Sequence, residues 1–334
     1  MAGRRFSFWL SPVLWGLSLL YTFVLWIRHW LYDHHALRIY YPKIQTISVG
    51  NLMVGGTGKT PVVQHLAHLL SEHGKVAILT RGFRGEAEKG AIPLRIEKGD
   101  GISANQTGDE PRLLADSTPA VVFVSRDRSR SARLAEAEGA DYLLLDDGFQ
   151  HRRLHRHVEV VVVNANNLFD RHRLLPYGRL RDLPERLCGA DLVIANHAKN
   201  FNQYEAVKKE LSEYTQAPVV AMRPVLDVKK DLKGCRIGVF CGLADPTYFL
   251  EALRELGAEI VAEEILLDHQ KIEDSRLEAL LQKAVHVVCT EKDYVKLSAP
   301  FKTKVLPIGM HLEVIGGEEA WRQIQEEICK KQSQ

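Results

Sequence analysis

Residues 49–60 read Val-Gly-Asn-Leu-Met-Val-Gly-Gly-Thr-Gly-Lys-Thr, a glycine-rich loop ending in Gly-Lys-Thr. No other stretch constrains the fold as much, because such a loop works only between a strand and a helix. Ile44–Val49 reads as that strand, with Ile47 and Val49 alternating with Thr46 and Ser48. Pro61–Leu70 reads as the helix, with Val62, Val63, Leu66, Leu69 and Leu70 at helical spacing and a stop at Gly74. Successive backbone N–H groups of the loop can converge on phosphate oxygens, and the helix N-terminus adds partial positive charge. Lys59 is placed to reach the β- and γ-phosphates, and the Thr60 hydroxyl to ligate Mg²⁺. The candidate nucleotide-binding residues are therefore Met53, Val54, Gly55, Gly56, Thr57, Gly58, Lys59 and Thr60. Met53 departs from the usual pattern, since it stands where the first glycine of G-x-x-x-x-G-K-[ST] falls. Gly55, Gly56 and Gly58 keep the loop mobile. The run implies binding of a nucleoside triphosphate.

Apolar runs recur downstream at Val76–Thr80, Ala120–Ser125, Tyr142–Asp147, Val158–Asn164 and Leu192–Ala195, with helical segments such as Asp127–Glu138 between them. Continuous apolar strands of this kind are covered on both faces, as in parallel sheets. The alternation predicts a P-loop NTPase-like, doubly wound α/β/α domain. A helix at Tyr204–Tyr214, an extended Ala217–Leu226 and a charged Asp227–Gly234 lead to a second, smaller α/β/α unit. That unit comprises Arg236–Cys241, Pro246–Leu256, Glu259–Leu266, Glu273–Lys283 and Val285–Thr290. It is followed by an extended Val305–Val314 and an amphipathic helix from Glu318 to about Lys330. The expected domain limits are 1–40 for a membrane-associating helical segment and 41–223 for the kinase domain. Linker strands fall at 224–233 and 307–315, the smaller domain at 234–306, and the terminal helix at 316–334.

The 334 residues carry a net charge of only +2, so no global basic field points to nucleic acid. Arginines nevertheless cluster at 126–133, 152–156 and 171–181, which suits an anionic substrate or phospholipid headgroups. Five cysteines without a C-x-x-C pair argue against a disulfide framework or zinc site and fit a reducing cytosol. His151, His155 and His157 lack a ligand set at zinc spacing and read as surface or substrate-contact histidines. From Phe8 to Ile27 no residue is charged, and Arg4, Arg5, Arg28 and His29 flank the run. Its length just suffices to span a bilayer, which takes about 20 apolar residues. Trp9, Trp15, Trp26 and Trp30 near its ends favour the membrane interface. A monotopic interfacial helix, a true span and a buried core helix remain open, and a cleaved signal peptide is disfavoured. In the first two cases the globular part lies in the cytoplasm. No obligate protein partner is evident.

Phosphoryl transfer needs metal ligands, a group to orient or deprotonate the nucleophile, and cations against the transferring charge. Asp146-Asp147 ends an apolar strand in the Walker-B manner, and Gly148-Phe149-Gln150-His151 follows at the same sheet edge. Gly108-Asp109-Glu110-Pro111 places two carboxylates at a helix start, where capping explains them as well as catalysis does. Asp268-His269 follows a strand of the second unit; it gains weight only if the domains close over one cleft, so that His269 reaches a carboxylate of the first domain. Arg81 directly follows Val76–Thr80.

The combination resembles the tetraacyldisaccharide 4′-kinase family, the lipid A 4′-kinases of Gram-negative bacteria. Matching stretches are Ser48–Asn51 running into Gly55–Pro61, Thr80-Arg81-Gly82, Gly108-Asp109-Glu110-Pro111 and Asp146-Asp147-Gly148-Phe149-Gln150-His151. Leu174-Leu175-Pro176 with Gly178 and Leu180-Arg181, Asp268-His269, and Thr290-Glu291-Lys292-Asp293 complete the set, in family order over nearly the whole chain. The resemblance implies a membrane enzyme on the cytoplasmic face of the inner membrane. Such an enzyme moves the γ-phosphoryl group of ATP onto the 4′-hydroxyl of a tetraacyl disaccharide 1-phosphate. It implies two α/β/α domains with the active site in the cleft between them, ATP as co-substrate and Mg²⁺ as cofactor. Carried over by motif, Asp109 would be the catalytic base and His269 its dyad partner, with Lys59 at the phosphates. Thr60, Glu110, Asp146 and Asp147 would serve the metal. Arg81, Arg128, Gln150, His151 and Arg181 would contact substrate or phosphate. Phe83 stands where the family often has Tyr, Leu243-Ala244-Asp245-Pro246 replaces a Gly-Asn-Pro ending, and Tyr177 and Arg179 vary the Leu-Pro-Ala-Gly-Pro-Leu-Arg pattern.

A membrane-associated P-loop GTPase or targeting switch is the rival from another class. Such proteins read guanine with Asn/Thr-Lys-x-Asp, and Thr290-Glu291-Lys292-Asp293 puts Glu where Lys should lie. A soluble small-molecule kinase is disfavoured by the apolar N-terminus.

Overall fold

The computed structural model describes residues 11–330 except Ala244 and Asp268, and except the side chain of Arg171. The start of the apolar run (Phe8 and Trp9), the flanking Arg4 and Arg5, and Asp268 of the Asp-His pair therefore lie outside the described residues. So does Ala244 in the Leu243–Pro246 departure. In chain order the helices are α1 (Ser11–Asp33), α2 (Lys59–Ser71), α3 (Ala104–Thr107), α4 (Asp109–Ser117), α5 (Arg128–Ala137), α6 (Phe201–Leu211), α7 (Thr247–Glu255), α8 (Asp274–Lys283), α9 (Glu291–Tyr294), α10 (Ala299–Lys302) and α11 (Glu318–Cys329). The strands are β1 (Gln45–Gly50), β2 (Val76–Thr80), β3 (Leu94–Ile96), β4 (Val121–Val124), β5 (Tyr142–Asp146), β6 (Val158–Asn164), β7 (Leu192–Asn196), β8 (Val219–Asp227), β9 (Arg236–Cys241), β10 (Glu259–Ile265), β11 (His286–Thr290) and β12 (Val305–Gly316).

Two compact units divide the chain. The first takes the residues up to Lys59, Asp141–Arg223, and Val314 onward; the second takes Thr60–Ala140 and Pro224–Glu313. Residues 60–140, which follow the phosphate loop in sequence, thus belong to the second unit.

In the first unit β1 lies between β5 and β6, and the sheet continues through β7 to β8, every pair parallel. All residues of β1, β5 and β7 are buried; β5 and β7 accordingly read as near-continuous apolar runs, whereas β1 buries the polar Gln45, Thr46 and Ser48 as well. Parallel order brings all their carboxyl ends to one edge, where an open α/β sheet binds its ligands. The core on one face gathers Met53, Val161, Val193, Leu180 and Leu211, with Leu25 from α1. Each such side chain contributes about 1.5–3 kcal/mol by leaving water. Most of α1 is solvent-facing: Trp15, Leu20, Phe23, Trp26 and Trp30 are exposed, while Ser18, Leu25, His29 and Tyr32 are buried. By length and composition α1 could cross a membrane.

The second unit contains β2 parallel to β4, with the three-residue β3 antiparallel beside β4. A further parallel set runs β10, β9, β11, β12. Its two faces are filled by separate clusters, one around Val239, Phe249 and Leu253, the other around Phe240, Leu277 and Phe301. The alternation of apolar residues along β9 sends Val239 to one cluster and Phe240 to the other, as a period of two requires.

Candidate active site

The first unit forms the phosphate-loop corner. Asn51, just past β1, donates from Nδ2 to Thr57 Oγ1 at 2.8 Å. Asn196, which ends β7, donates to the Thr57 carbonyl at 3.1 Å. These two amides brace the loop from β1, which leads into it, and from β7, two strands away in the sheet. Gly58 has φ of +79°, and a Cβ there would sit 1.8 Å from Asn196 Nδ2, so this position needs glycine. Met53, at the place of the usual first glycine, is a core residue: it is buried and bridges Leu180. Val54 N–H donates to the Arg179 carbonyl at 2.8 Å, and Arg179 Nη2 donates back to the Val54 carbonyl at 3.0 Å. The variant loop is therefore fastened to residues 179–180 by its first half, leaving Gly55–Gly58 to curve.

Lys59 Nζ lies 3.4 Å from Asp147 Oδ1. Arg181 grips the same carboxylate as a fork, with Nη1 to Oδ2 at 2.8 Å and Nη2 to Oδ1 at 2.7 Å. Its Nη2 also donates to Asn51 Oδ1. Burial opposes the Arg181 charge, yet the Asp147 carboxylate outweighs it and raises the guanidinium above its ordinary value. Asp147 sits just beyond β5 with φ of 54°, while Asp146, the last residue of β5, is buried. Gln150 Nε2 donates to the Asn51 carbonyl at 2.8 Å, and His151 N–H closes the turn onto the Gly148 carbonyl at 2.7 Å. Two cations thus share one carboxylate beside the glycine-rich loop, a positive surplus suited to an anionic ligand.

The second unit forms another corner. Helix α4 opens directly on Asp109 and Glu110 after Gly108, whose φ is +91°. Acidic residues and Pro111 in the first turn suit the helix N-terminus. A Cβ on Gly82 (φ +70°) would come within 2.7 Å of the Thr107 carbonyl, so only glycine lets the 82–85 turn pack this closely before α4. Asp109 Oδ2 meets His269 Nδ1 at 3.1 Å, joining residues 160 positions apart within this unit. Lys296 Nζ stands 4.0 Å from the same oxygen, 2.6 Å from Asp293 Oδ1, and donates to the Gln270 carbonyl at 3.0 Å. One turn earlier, Lys292 Nζ lies 3.6 Å from Glu110 Oε1. Two lysines four positions apart thus face two adjacent carboxylates. The Phe83 ring lies edge-on to His269, centroids 6.1 Å apart.

The remaining sequence-derived candidates are engaged elsewhere. Arg81 Nε pairs with Glu88 at 2.7 Å. Arg128 opens α5 largely buried, with Nη1 donating to the Arg126 carbonyl at 3.3 Å. Thr60 and Gly56 occupy the expected places at the start of α2 and in the loop. Among the described residues no group of three or more His, Cys, Asp or Glu side chains is disposed to hold a metal. Asn196 and Lys296 were not singled out from the sequence. A polar residue ending an otherwise apolar strand was the available signal for Asn196, and the Lys292/Lys296 spacing for the second.

The sequence profile of the family described as Tetraacyldisaccharide-1-P 4'-kinase matches residues 10–329. The chain is similar to a Chlamydia trachomatis protein named tetraacyldisaccharide 4'-kinase, 37% identical over 300 residues, covering 85% of this chain and 79% of that one. A protein of the same name from Anaeromyxobacter sp. (strain K) is 40% identical over 294 residues, covering 82% of this chain and 78% of the relative. Among solved structures, the "apo" form of LpxK from Aquifex aeolicus in complex with ATP superposes with a TM-score of 0.77 at 29% identity, covering 96% of this chain and all of that one. With the phosphate loop, the Asp109–His269 contact and this family match in hand, the chain belongs to the tetraacyldisaccharide 4'-kinase family.

Proposed function

We infer that this chain is an ATP-dependent kinase of lipid A biosynthesis, which transfers the γ-phosphoryl group of ATP to the 4′-hydroxyl of a tetraacyl disaccharide 1-phosphate. The observation that carries the reading is the 3.1 Å contact between Asp109 and His269. A sugar hydroxyl is a poor nucleophile, and a positioned carboxylate that accepts its proton is the direct remedy. In this reading Asp109 takes the proton, while His269 holds the carboxylate's orientation and shares the proton once it has moved. Lys296 and Lys292 fix the carboxylates of Asp109 and Glu110 from the other side. Lys59 and Arg181 neutralise charge on the transferring group, which is where catalysis of phosphoryl transfer mainly lies.

For Mg²⁺, the available donors are the hard oxygens of Asp146, Asp147, Glu110 and Thr60. Mg²⁺ sites of kinases are built from one or two carboxylates plus phosphates and water rather than an all-protein cage, so this donor set fits. When bound, the ion would neutralise charge developing on the transferring phosphoryl group. The exposed apolar side of α1 supports association with a membrane surface, at the cytoplasmic face where ATP is found. The hydrogen bonds that α1 makes with the first unit between Ser18 and Asp33 favour a helix lying on the surface over one crossing the bilayer. Functional domains limited at 41–223 and 234–306 are part of the same proposal.

The GTPase alternative loses its remaining footing at Asp293. A guanine-reading carboxylate must face the base, but Asp293 is buried and accepts from Gly242 N–H at 2.8 Å and Thr290 Oγ1 at 2.6 Å. The decisive experiment is transfer of radiolabelled phosphate from ATP to a tetraacyl disaccharide 1-phosphate, with GTP in parallel. Label in the lipid from ATP supports the kinase; nucleotide hydrolysis without lipid labelling would sink it.

A further inference from the structure

Helix α1 carries polar residues that its apolar outer side does not require. Ser18 Oγ donates to the Leu174 carbonyl at 3.0 Å, and Tyr21 OH to the Arg181 carbonyl at 2.8 Å. His29 Nε2 lies 2.7 Å from Asp182 Oδ1, both side chains almost wholly buried. The other ring nitrogen of His29, Nδ1, faces Arg152 Nη1 at 3.3 Å. Since a guanidinium can only donate, these partners fit the tautomer with the proton on Nε2, donating to Asp182. Arg152 continues to Asp33 at 2.5 Å, and Arg28 donates to the Gln150 carbonyl.

Two segments share these bonds with α1, Leu174–Asp182 and Gln150–Arg152, and both also touch the phosphate loop. Arg181 holds Asp147 and Asn51, and Gln150 holds the Asn51 carbonyl. A helix that needed only to attach the protein to lipid would gain nothing from burying a histidine–carboxylate pair. Charged and polar side chains are buried at a cost that only well-made hydrogen bonds offset. We propose that α1 is a strut for the phosphate-loop corner as well as a lipid-facing element, with Tyr21 and His29 as positioning residues that act through Arg181 on Asp147 and Asn51. The proposal rests on the kinase reading for the significance of that corner. Because α1 meets lipid on one side and these segments on the other, its seating sets where the Arg181 fork stands.

The test uses the full chain with substitutions Tyr21→Phe, His29→Ala and His29→Gln, assayed with ATP and a tetraacyl disaccharide 1-phosphate in non-ionic detergent micelles. Micelles present the substrate without a bilayer, so an anchoring defect is not read. Flotation with phosphatidylethanolamine/phosphatidylglycerol vesicles measures lipid attachment separately. The expected result is unchanged flotation with kcat lowered about tenfold to a hundredfold by His29→Ala, the scale of a small misplacement of catalytic groups. His29→Gln, which can still donate to Asp182, should recover much of the loss. Combining His29→Ala with Arg181→Ala should add little to Arg181→Ala alone, as expected of residues acting as one unit. Hydrogen exchange at the amides of 174–182 should speed up in the variants, and this readout does not depend on turnover. Variants that turn over and exchange like wild type would overturn the strut, as would losses that multiply with Arg181→Ala. A wild-type chain without transfer activity would instead remove the kinase reading, with exchange still deciding the strut. If His29→Ala does not fold, Tyr21→Phe, which removes one hydroxyl, decides the matter through the same readouts.

Discussion

At the phosphate-loop corner Lys59 and Arg181 converge on the single carboxylate of Asp147. At the Asp109 corner, by contrast, Asp109 and Glu110 are each held by donors: His269 and Lys296 on the first, Lys292 on the second. One site has cations to spare and the other has carboxylates under tension from several sides. A surplus of positive charge binds and stabilises anions, whereas the donors around Asp109 fix its orientation, and the histidine among them can share a proton that the carboxylate accepts. On the proposed reading, charge stabilisation and nucleophile activation would thus be served by opposite charge arithmetic.

The largest effect should come from breaking the proton-accepting corner. Asp109→Asn keeps the helix start but removes the acceptor, and kcat should fall about 10²–10⁴-fold. Steady-state transfer by Asp109→Asn, His269→Asn and the double variant checks whether the pair acts as one. A double variant little worse than the weaker single supports the unit, and multiplied losses would separate the residues. Next is Lys59→Ala, which should leave the fold intact and lower kcat about 10²–10³-fold by removing one charge from the transition state. Near-wild-type turnover in the folded protein would take the loop out of the mechanism.

A milder change sharpens the comparison. Arg181→Lys keeps the charge but loses the fork on Asp147, and about one charge-assisted hydrogen bond, worth roughly tenfold in rate, should go with it. If lysine serves as well as arginine, charge alone matters there, and geometry does not. The smallest effect concerns stability beside β1. Glu159 is buried, and burial raises its carboxyl above the ordinary value although Arg156 and Ser48 pull it down. A raised acid favours the native state fully below the ordinary value of about 4.5, and that contribution is lost as pH rises through the folded value. Glu159→Gln should therefore gain stability relative to wild type as pH increases from that point, read by urea unfolding at a series of pH values. A constant difference across the range would show that Glu159 does not titrate with folding.

Much of the fold is legible in the sequence. Strands β6 and β9 are visible as apolar runs because each is covered on both faces, and the phosphate loop announces its own strand and helix. The three-residue β3 was not foreseen: it is antiparallel, too short to show a period, and flanked by glycine and proline. The grouping of residues 60–140 with the C-terminal half is invisible to any reading in chain order, since it depends on which surfaces pack. Asp109 reads locally as a helix-start acid, and only its long-range contact with His269 supports the other role proposed for it. The brace from Asn196 and the bolt from His29 to Asp182 are likewise long-range pairings of single polar residues, which carry no local pattern.

Asp147 and His269 share a backbone property, with φ of 54° and 66° respectively. Left-handed dihedrals cost most L-residues about 1–2 kcal/mol, Asp and Asn less. Glycine would release that strain while adding about 0.5–1 kcal/mol of chain entropy to be lost on folding. On the proposed role of His269, a glycine at position 269 would therefore lose the dyad yet be about as stable as the native chain. Loss of activity at these positions would then not be rescued by chaperones, low temperature or stabilising mutations elsewhere, because the fold would not be what is lost.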